Sequence, residues 1–190
     1  MNRIECLRAV YPQLEKRVVV TIMGAVAIEL QSIGHRPNFF YLQHAMGLAS
    51  SIGLGLAVSL QEQRIVVLDG DGSLLMNLGT LSTLAHSGAS NIVHVVFDNQ
   101  SYLSAGDSPT ATAQSTDLEG VARASGIPHT ASARSVEEFQ TAFASALDSG
   151  KLTVLVAHVD TSGVYDRPTD LGLLENRFQF SRHCQSLARR

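Results

Sequence analysis

The chain has 190 residues, of which 45% are hydrophobic, and its formal net charge is −3. This length suits one domain with a proper core and leaves no room for two full-size domains. A weakly negative chain with scattered Lys and Arg argues against a nucleic-acid partner. Cys6 and Cys184 stand alone near the two ends, so they form neither a disulfide framework nor a metal motif, and we expect a cytoplasmic protein.

Helices and strands alternate from the beginning of the chain. Residues 3–16 place apolar side chains at helical spacing, which predicts a surface helix. An apolar, β-branched first strand follows at residues 18–22, and a turn at Gly24 leads into a short helix at residues 27–33. On that helix, we expect Glu29 to be solvated or to face a partner. A second short strand is predicted at residues 38–42.

Residues 45–60 carry no charged side chain. The run is shorter than the roughly 20 residues that span a bilayer, so we expect a buried helix and no membrane segment. Many of its residues are small, so another helix or backbone can approach closely. The neighbour is either the core of the same domain or a second domain, and composition leaves both open.

The next strand ends in Gly70-Asp71-Gly72. The preceding residues 65–68 form an apolar run typical of a parallel strand covered on both faces. Two glycines allow a tight turn and a close approach to a ligand, and Ser73 begins an apolar-periodic segment that predicts one helix up to Ala85. A carboxylate at the amide-rich start of a helix suits a divalent metal bridged to a diphosphate.

A second polar residue, Asn99, ends the following buried strand at residues 92–97. Neighbouring parallel strands joined by one right-handed crossover end at the same edge of a sheet, so Asn99 should lie beside Asp71. Asp, Asn and Gly are also common turn residues at strand ends, and each of these residues taken alone fits that simpler interpretation.

The rest of the chain continues the alternation. Residues 99–115 predict a mobile loop of functional length, helices are capped at Asp117 and Ser135, and a last strand spans residues 152–159. The tail, residues 160–190, should pack on the domain or on a partner, and it carries Arg167, Pro168, Arg177, Arg182, Arg189 and Arg190. We expect residues 1–190 to form a single α/β domain: a doubly wound, mainly parallel sheet of five or six strands with helices on both faces.

Gly70-Asp71-Gly72, followed about thirty residues later by Asn99, resembles the thiamine-diphosphate signature of the decarboxylase and carboligase superfamily. The loop from Asp98 to Thr110 resembles that of sulfopyruvate and phosphonopyruvate decarboxylases, with Asn, then Tyr three residues on, then Ser, Gly and Pro-Thr. The resemblance covers residues 21–127. It implies Mg²⁺ held by the Asp71 carboxylate, the Asn99 side-chain carbonyl and the Ser101 backbone carbonyl. It also implies that thiamine diphosphate contacts a wider set: Gly24, His44, Met46, Gly70, Asp71, Gly72, Ser73, Asn99, Ser101 and Tyr102.

Two departures from these relatives concern the site. His44-Ala45-Met46-Gly47 occupies the place of Gly-Ser-Met-Gly, where by resemblance Met46 wedges between the two cofactor rings and the carbonyl of residue 44 accepts from the aminopyrimidine amine. The His44 side chain is either structural or a catalytic acid or base. Relatives also read Ser-Arg-Glu-Leu where this chain has Ala27-Ile28-Glu29-Leu30, so any role of that arginine is absent.

The resemblance implies the diphosphate-binding subunit of a thiamine-diphosphate-dependent decarboxylase acting on a small anionic 2-oxoacid. A carboligase subunit and a non-catalytic cofactor-binding or scaffolding subunit are the alternatives. In the family, the glutamate that activates the cofactor comes from a separate pyrimidine-binding domain. Because 190 residues hold one domain, we expect that glutamate from an alpha-type partner chain, in a heterotetramer or larger assembly.

Overall fold

The computed structural model describes residues 1–163 and 171–188. The strands are β1 (Val18–Thr21), β2 (Phe39–Tyr41), β3 (Ile65–Gly70), β4 (Ile92–Asp98), β5 (Ser101–Tyr102), β6 (Ser108–Pro109), β7 (His129–Ala133) and β8 (Thr153–His158). The helices are α1 (Arg3–Leu14), α2 (Ala25–Ile33), α3 (Ala49–Ser59), α4 (Asp71–Leu75), α5 (Gly79–His86), α6 (Leu118–Ala124), α7 (Val136–Asp148) and α8 (Leu173–Ala188).

Six strands form one parallel sheet in the order β2-β1-β3-β4-β8-β7. The apolar runs of β3 and β4 occupy its centre, where β-branched side chains are buried against helices. The order reverses direction between β1 and β3, and open α/β sheets bind ligands at the carboxyl edge beside such a point. The predicted fold class is confirmed.

Helices cover both faces of this sheet. Gly53 of α3 packs against Val67 so closely that a Cβ at residue 53 would overlap the Val67 side chain. On β4, Phe97 contacts Phe139 of α7. Val67 pairs with His94 across the two strands, so these side chains lie on the same face of the sheet. Phe97 follows His94 by three residues, an odd number, so Val67 and Phe97 lie on opposite faces. Helices α3 and α7 therefore lie on opposite sides of the sheet, as a doubly wound fold requires.

One edge strand, β7, is absent from the sequence prediction. Its segment, His129 to Ala133, is polar and half exposed, and it pairs with the sheet on one side through β8. An edge strand buries little apolar surface, so it lacks the apolar pattern by which the inner strands are recognised.

The single helix predicted from Ser73 to Ala85 is wrong, because the segment forms two helices, α4 and α5. At the junction, the amides of Met76 and Asn77 bond to carbonyls three residues back, and those of Thr80 and Leu81 do the same. This tighter winding interrupts the α-helical ladder. The first helix also begins at Asp71, so Ser73 lies inside it rather than at its start.

The segment predicted as a loop, residues 99–115, has regular structure. Strands β5 and β6 pair as an antiparallel hairpin, in which Ser101 lies opposite Pro109. Single 3₁₀ turns follow each strand, at residues 103–105 and 111–113. The hairpin returns the chain to the carboxyl edge of the sheet, which brings Thr110 and Thr112 close to Asp71.

The C-terminal helix α8 covers β2. The Asn176 side chain accepts a hydrogen bond from the Tyr41 amide and donates one to the Phe39 carbonyl, at 3.1 and 2.7 Å. These bonds satisfy backbone groups that a further strand would otherwise pair. Phe180 stacks on Phe40. Four tail residues named above lie outside the described residues: Arg167, Pro168, Arg189 and Arg190. Within the described part of the chain, no helix is long and apolar enough to cross a bilayer.

Candidate metal and cofactor site

A cavity of about 390 Å³ opens at the carboxyl ends of β1, β3 and β4. Its size lies in the range of small-molecule sites. Every residue predicted to bind cofactor or metal lines it except His44: Gly24, Met46, Gly70, Asp71, Gly72, Ser73, Asn99, Ser101 and Tyr102. Residues from four separate stretches of the chain therefore meet in one cavity.

Asp71 is the buried anion of this cavity, with a residue exposure of 2%. Its Oδ2 accepts a hydrogen bond from the Thr110 hydroxyl at 2.7 Å, and Thr112 Oγ1 lies 3.3 Å away. Thr112 donates to Asp98 at 2.7 Å, so the two hydroxyls connect two carboxylates. Burial raises the pKa of Asp71, and the threonine hydrogen bonds partly offset this. No described cationic side chain pairs with it, so a bound cation would relieve its desolvation.

The donors near Asp71 suit a hard metal ion. Among residues 1–163 and 171–188, no three His, Cys, Asp or Glu side chains converge on one point. A metal here would use amide and backbone oxygens beside one carboxylate, the donor set that Mg²⁺ accepts. Asn99 Oδ1 already accepts from the Ser101 amide at 3.1 Å. That bond fixes the Asn99 side chain and leaves the second lone pair of its carbonyl oxygen for another partner.

The hairpin closes over the Gly-Asp-Gly turn because Gly72 has no side chain. A Cβ on Gly72 would lie 2.6 Å from two ring atoms of Tyr102. Across the cavity, the tip residue Ser104 approaches Gly24. The hairpin thus forms one wall of the site, and its position depends on the glycine at residue 72.

The turn that carries Met46 is fixed by two hydrogen bonds, one to α4 and one to the junction between α4 and α5. The Gly47 amide donates to Ser73 Oγ at 3.0 Å, and Asn77 donates to the Gly47 carbonyl at 2.9 Å. These bonds hold Met46 at the cavity wall. His44 adopts a left-handed φ of 54°, a conformation that glycine takes without strain. Its side chain is exposed and does not line the cavity, so a catalytic role for this imidazole stays a prediction.

The N-terminus of α2 is better suited to bind an anion than the N-terminus of α4. Helix α2 has nine residues and begins at Ala25, and the preceding Gly24 has φ 78° and provides no capping side chain. The first amides of a helix lack partners within the helix, so those of α2 are available beside the cavity. Helix α4 has only five residues, and the field of so short a helix is weak. The diphosphate contact expected at Ser73, which lines the cavity, stays a prediction.

Glu29 is not solvated, contrary to the expectation above. It is fully buried, and its carboxylate accepts two hydrogen bonds from Arg3 at 2.8 and 2.9 Å. Arg3 belongs to α1 and also lines the cavity, as does Ile28. The cavity wall near residue 28 therefore does contain an arginine, but it comes from the N-terminal helix. The 26-residue separation of Arg3 and Glu29 is the reason that sequence pattern alone did not reveal the pair.

Comparisons with known proteins agree with this geometry. The family model described as "Thiamine pyrophosphate enzyme, C-terminal TPP binding domain" matches residues 23–157. The sulfopyruvate decarboxylase subunit beta of Methanocaldococcus jannaschii is 40% identical over 157 residues, which cover 82% of each chain. The protein of the same name from Methanothermobacter thermautotrophicus is 46% identical over 126 residues, or 66% of this chain and 67% of that one. Their names imply an alpha subunit beside them.

The fold also matches that of benzoylformate decarboxylase from Polynucleobacter necessarius, with a TM-score of 0.71 and 19% identity. The match covers 87% of this chain and 34% of that enzyme's chain, so it corresponds to about one domain of a longer protein. The family model and the beta-subunit relatives show that the chain belongs to the thiamine pyrophosphate enzyme family, as a C-terminal TPP-binding domain similar to sulfopyruvate decarboxylase beta subunits over most of its length.

Proposed function

We propose that this chain is the diphosphate- and Mg²⁺-binding subunit of a thiamine-diphosphate-dependent decarboxylase. Its substrate would be an anionic 2-oxoacid such as sulfopyruvate or phosphonopyruvate. The observation that carries the proposal is the buried Asp71 carboxylate, which has no described cationic partner and faces a cavity shared with Met46 and Asn99. The names of the two relatives support the substrate class.

The residues present fit the cofactor and its metal. Asp71, the side-chain carbonyl of Asn99 and the backbone carbonyl of Ser101 would hold Mg²⁺. The open terminus of α2 at Gly24 and the glycines at residues 70 and 72 would hold the diphosphate. When bound, thiamine diphosphate supplies the carbon nucleophile and the electron sink that decarboxylation of a 2-oxoacid requires.

Thr110 has a separate part in this arrangement. Its hydroxyl donates to Asp71 Oδ2, which would leave Oδ1 for the metal. Burial raises the pKa of Asp71, and this hydrogen bond offsets part of that larger effect. We expect Thr110→Val to weaken Mg²⁺-dependent cofactor binding about tenfold, since one hydrogen bond to a buried carboxylate is lost. Thr83→Val is the matched control, because the Thr83 hydroxyl bonds only to a carbonyl of its own helix. Isothermal calorimetry on both variants checks this, and equal affinities would contradict it.

A partner chain would complete the site. Beside the Met46 turn, α3 and its neighbourhood expose large apolar side chains: Leu48, Ile52, Val58 and Met76. Such side chains on one side of a cofactor cavity are typical of an interface. We infer that an alpha-type, pyrimidine-binding subunit packs there and contributes the catalytic glutamate, with at least two copies of each chain. The His44 carbonyl would then face the cofactor's aminopyrimidine.

The product of the reaction tests the proposal. Co-expressed with the chain encoded beside it, the protein should release carbon dioxide from sulfopyruvate or phosphonopyruvate when thiamine diphosphate and Mg²⁺ are present. Acyloin formation without net release of the free aldehyde would indicate the carboligase alternative. Cofactor binding with neither product would indicate a non-catalytic subunit.

A further inference from the structure

Arg3 and Glu29 form a buried ion pair on the wall of the cofactor cavity. Arg3 is 2% exposed and Glu29 is fully buried. Two donors of the guanidinium, Nε and Nη2, bind the two carboxylate oxygens of Glu29. The chain at Gly163 packs directly against this contact: a Cβ there would overlap a Glu29 carboxylate oxygen and would lie 3.2 Å from Arg3 Nη2. Glu29 is thus enclosed by protein, while Arg3 reaches the cavity.

A contribution to stability alone does not explain this buried ion pair. Removing two charges from water costs several kcal/mol per ion, and apolar residues of similar volume commonly stabilise a fold as well or better. A guanidinium has five N–H donors in a planar fork, of which Glu29 takes two. The side-chain hydrogen bonds of Arg3 within the described part of the chain use Nε and Nη2, and none uses Nη1. The pair therefore presents an oriented cation with donors to spare.

The described cavity wall carries one side chain of each charge. Of the described lining residues, Asp71 is the one carboxylate and Arg3 the one cationic side chain. A metal ion suits Asp71, and an oxyanion suits Arg3, because arginine binds phosphate-like groups and carboxylates through parallel hydrogen bonds. Ile28 and Val26, which line the same cavity, offer no competing polar group.

We propose that Arg3, oriented by Glu29, binds a phosphate-like oxyanion inside this cavity. The inference rests on the proposed function for the identity of that group. It is either the diphosphate of the cofactor or the sulfonate or phosphonate of the 2-oxoacid. In both cases, Glu29 acts as a positioning residue that holds the guanidinium plane and keeps its free edge toward the ligand.

Charge-neutral double variants test this without leaving a buried charge unpaired. Arg3→Gln with Glu29→Gln removes the pair, and Arg36→Gln with Glu15→Gln removes an ion pair that does not line the cavity. Calorimetry on the chain assembled with its partner subunit measures the binding of thiamine diphosphate with Mg²⁺, and then the binding of sulfoacetate to the loaded complex. Sulfoacetate is an unreactive probe that carries the second anionic group. In the Arg3→Gln, Glu29→Gln variant, one of the two dissociation constants should rise at least about tenfold above its wild-type value, while the other stays within about twofold of its own.

The ligand that binds more weakly to the variant is the one that supplies the oxyanion. A weaker cofactor complex assigns Arg3 to the diphosphate, and weaker sulfoacetate binding assigns it to the substrate. Unchanged affinity for both ligands overturns the inference. If the first double variant does not fold, Arg3→Lys decides in the same way, because its ammonium keeps a contact with Glu29 but lacks the guanidinium's free edge. A wild-type complex with the partner subunit that binds no thiamine diphosphate would instead overturn the proposed function, and this inference with it.

Discussion

Purified alone, this chain should release no carbon dioxide from sulfopyruvate, and adding its partner subunit should restore turnover. Within the described residues, the cavity wall contains a single carboxylate, Asp71, which the metal would occupy. No second carboxylate is available there to activate the cofactor's aminopyrimidine. Loss of a positioned acid or base costs about 10²- to 10⁴-fold in rate, and half of the cavity would be missing as well.

The assay for this prediction compares carbon dioxide release by the single chain, by the partner and by their equimolar mixture, all with thiamine diphosphate and Mg²⁺. A control mixture contains this chain with Val58→Glu, which places a charge on the exposed apolar face of α3. That variant should fold like the wild type but fail to restore turnover at the same protein concentration. Full activity of the single chain, free of contaminating enzyme, would refute the two-subunit account.

Asp71→Asn should abolish Mg²⁺-dependent cofactor binding while leaving the ligand-free fold at least as stable as the wild type at pH 7. The substitution keeps the shape of the side chain and an oxygen for the Thr110 hydroxyl, and it removes a desolvated charge. A hundredfold excess of cofactor over its dissociation constant stabilises the wild type by about 2.7 kcal/mol. For a domain of this size, that corresponds to roughly 5–10 °C in melting temperature. The melting temperature of the Asp71→Asn variant should not rise when cofactor and Mg²⁺ are added.

The pH dependence follows from the direction of the Asp71 shift. Because burial raises the pKa of Asp71, the ligand-free fold favours the protonated carboxyl. This contribution to stability is complete below the ordinary carboxyl pKa and is lost as the pH rises through the raised value. Mg²⁺ favours the ionised form, so its stabilising increment should grow over the same interval. Melting curves from pH 4 to 7 test both trends, and Asp71→Asn should show neither. An increment that does not depend on pH would place the metal elsewhere.

Much of this site could be predicted from the sequence because its residues follow strands in a regular way. Asp71 and Asn99 end neighbouring parallel strands, and the crossover rule places such ends together. The sheet followed from apolar runs in β1, β3, β4 and β8, all of which are buried at its centre. Each of these signals is local, or requires only one topological rule.

The parts that escaped prediction depend on contacts between distant segments. The Arg3–Glu29 pair joins the N-terminal helix to α2, and the Thr110 hydroxyl returns to Asp71 across a separation of 39 residues. No periodicity marks either contact. The break between α4 and α5 falls at Asn77-Leu78-Gly79, where two poor helix formers interrupt an apolar periodicity that otherwise continues.

The central claim is a metal and diphosphate site at Asp71, and replacing Mg²⁺ with Mn²⁺ tests it most directly. A crystal of the protein with its partner, thiamine diphosphate and Mn²⁺ should give one anomalous peak per cavity at the manganese absorption edge. The account predicts that peak within coordination distance of about 2.0–2.3 Å from oxygens of Asp71, Asn99 and Ser101. A cofactor bound with its manganese peak away from Asp71, or no peak in the cavity at saturating Mn²⁺, would contradict it.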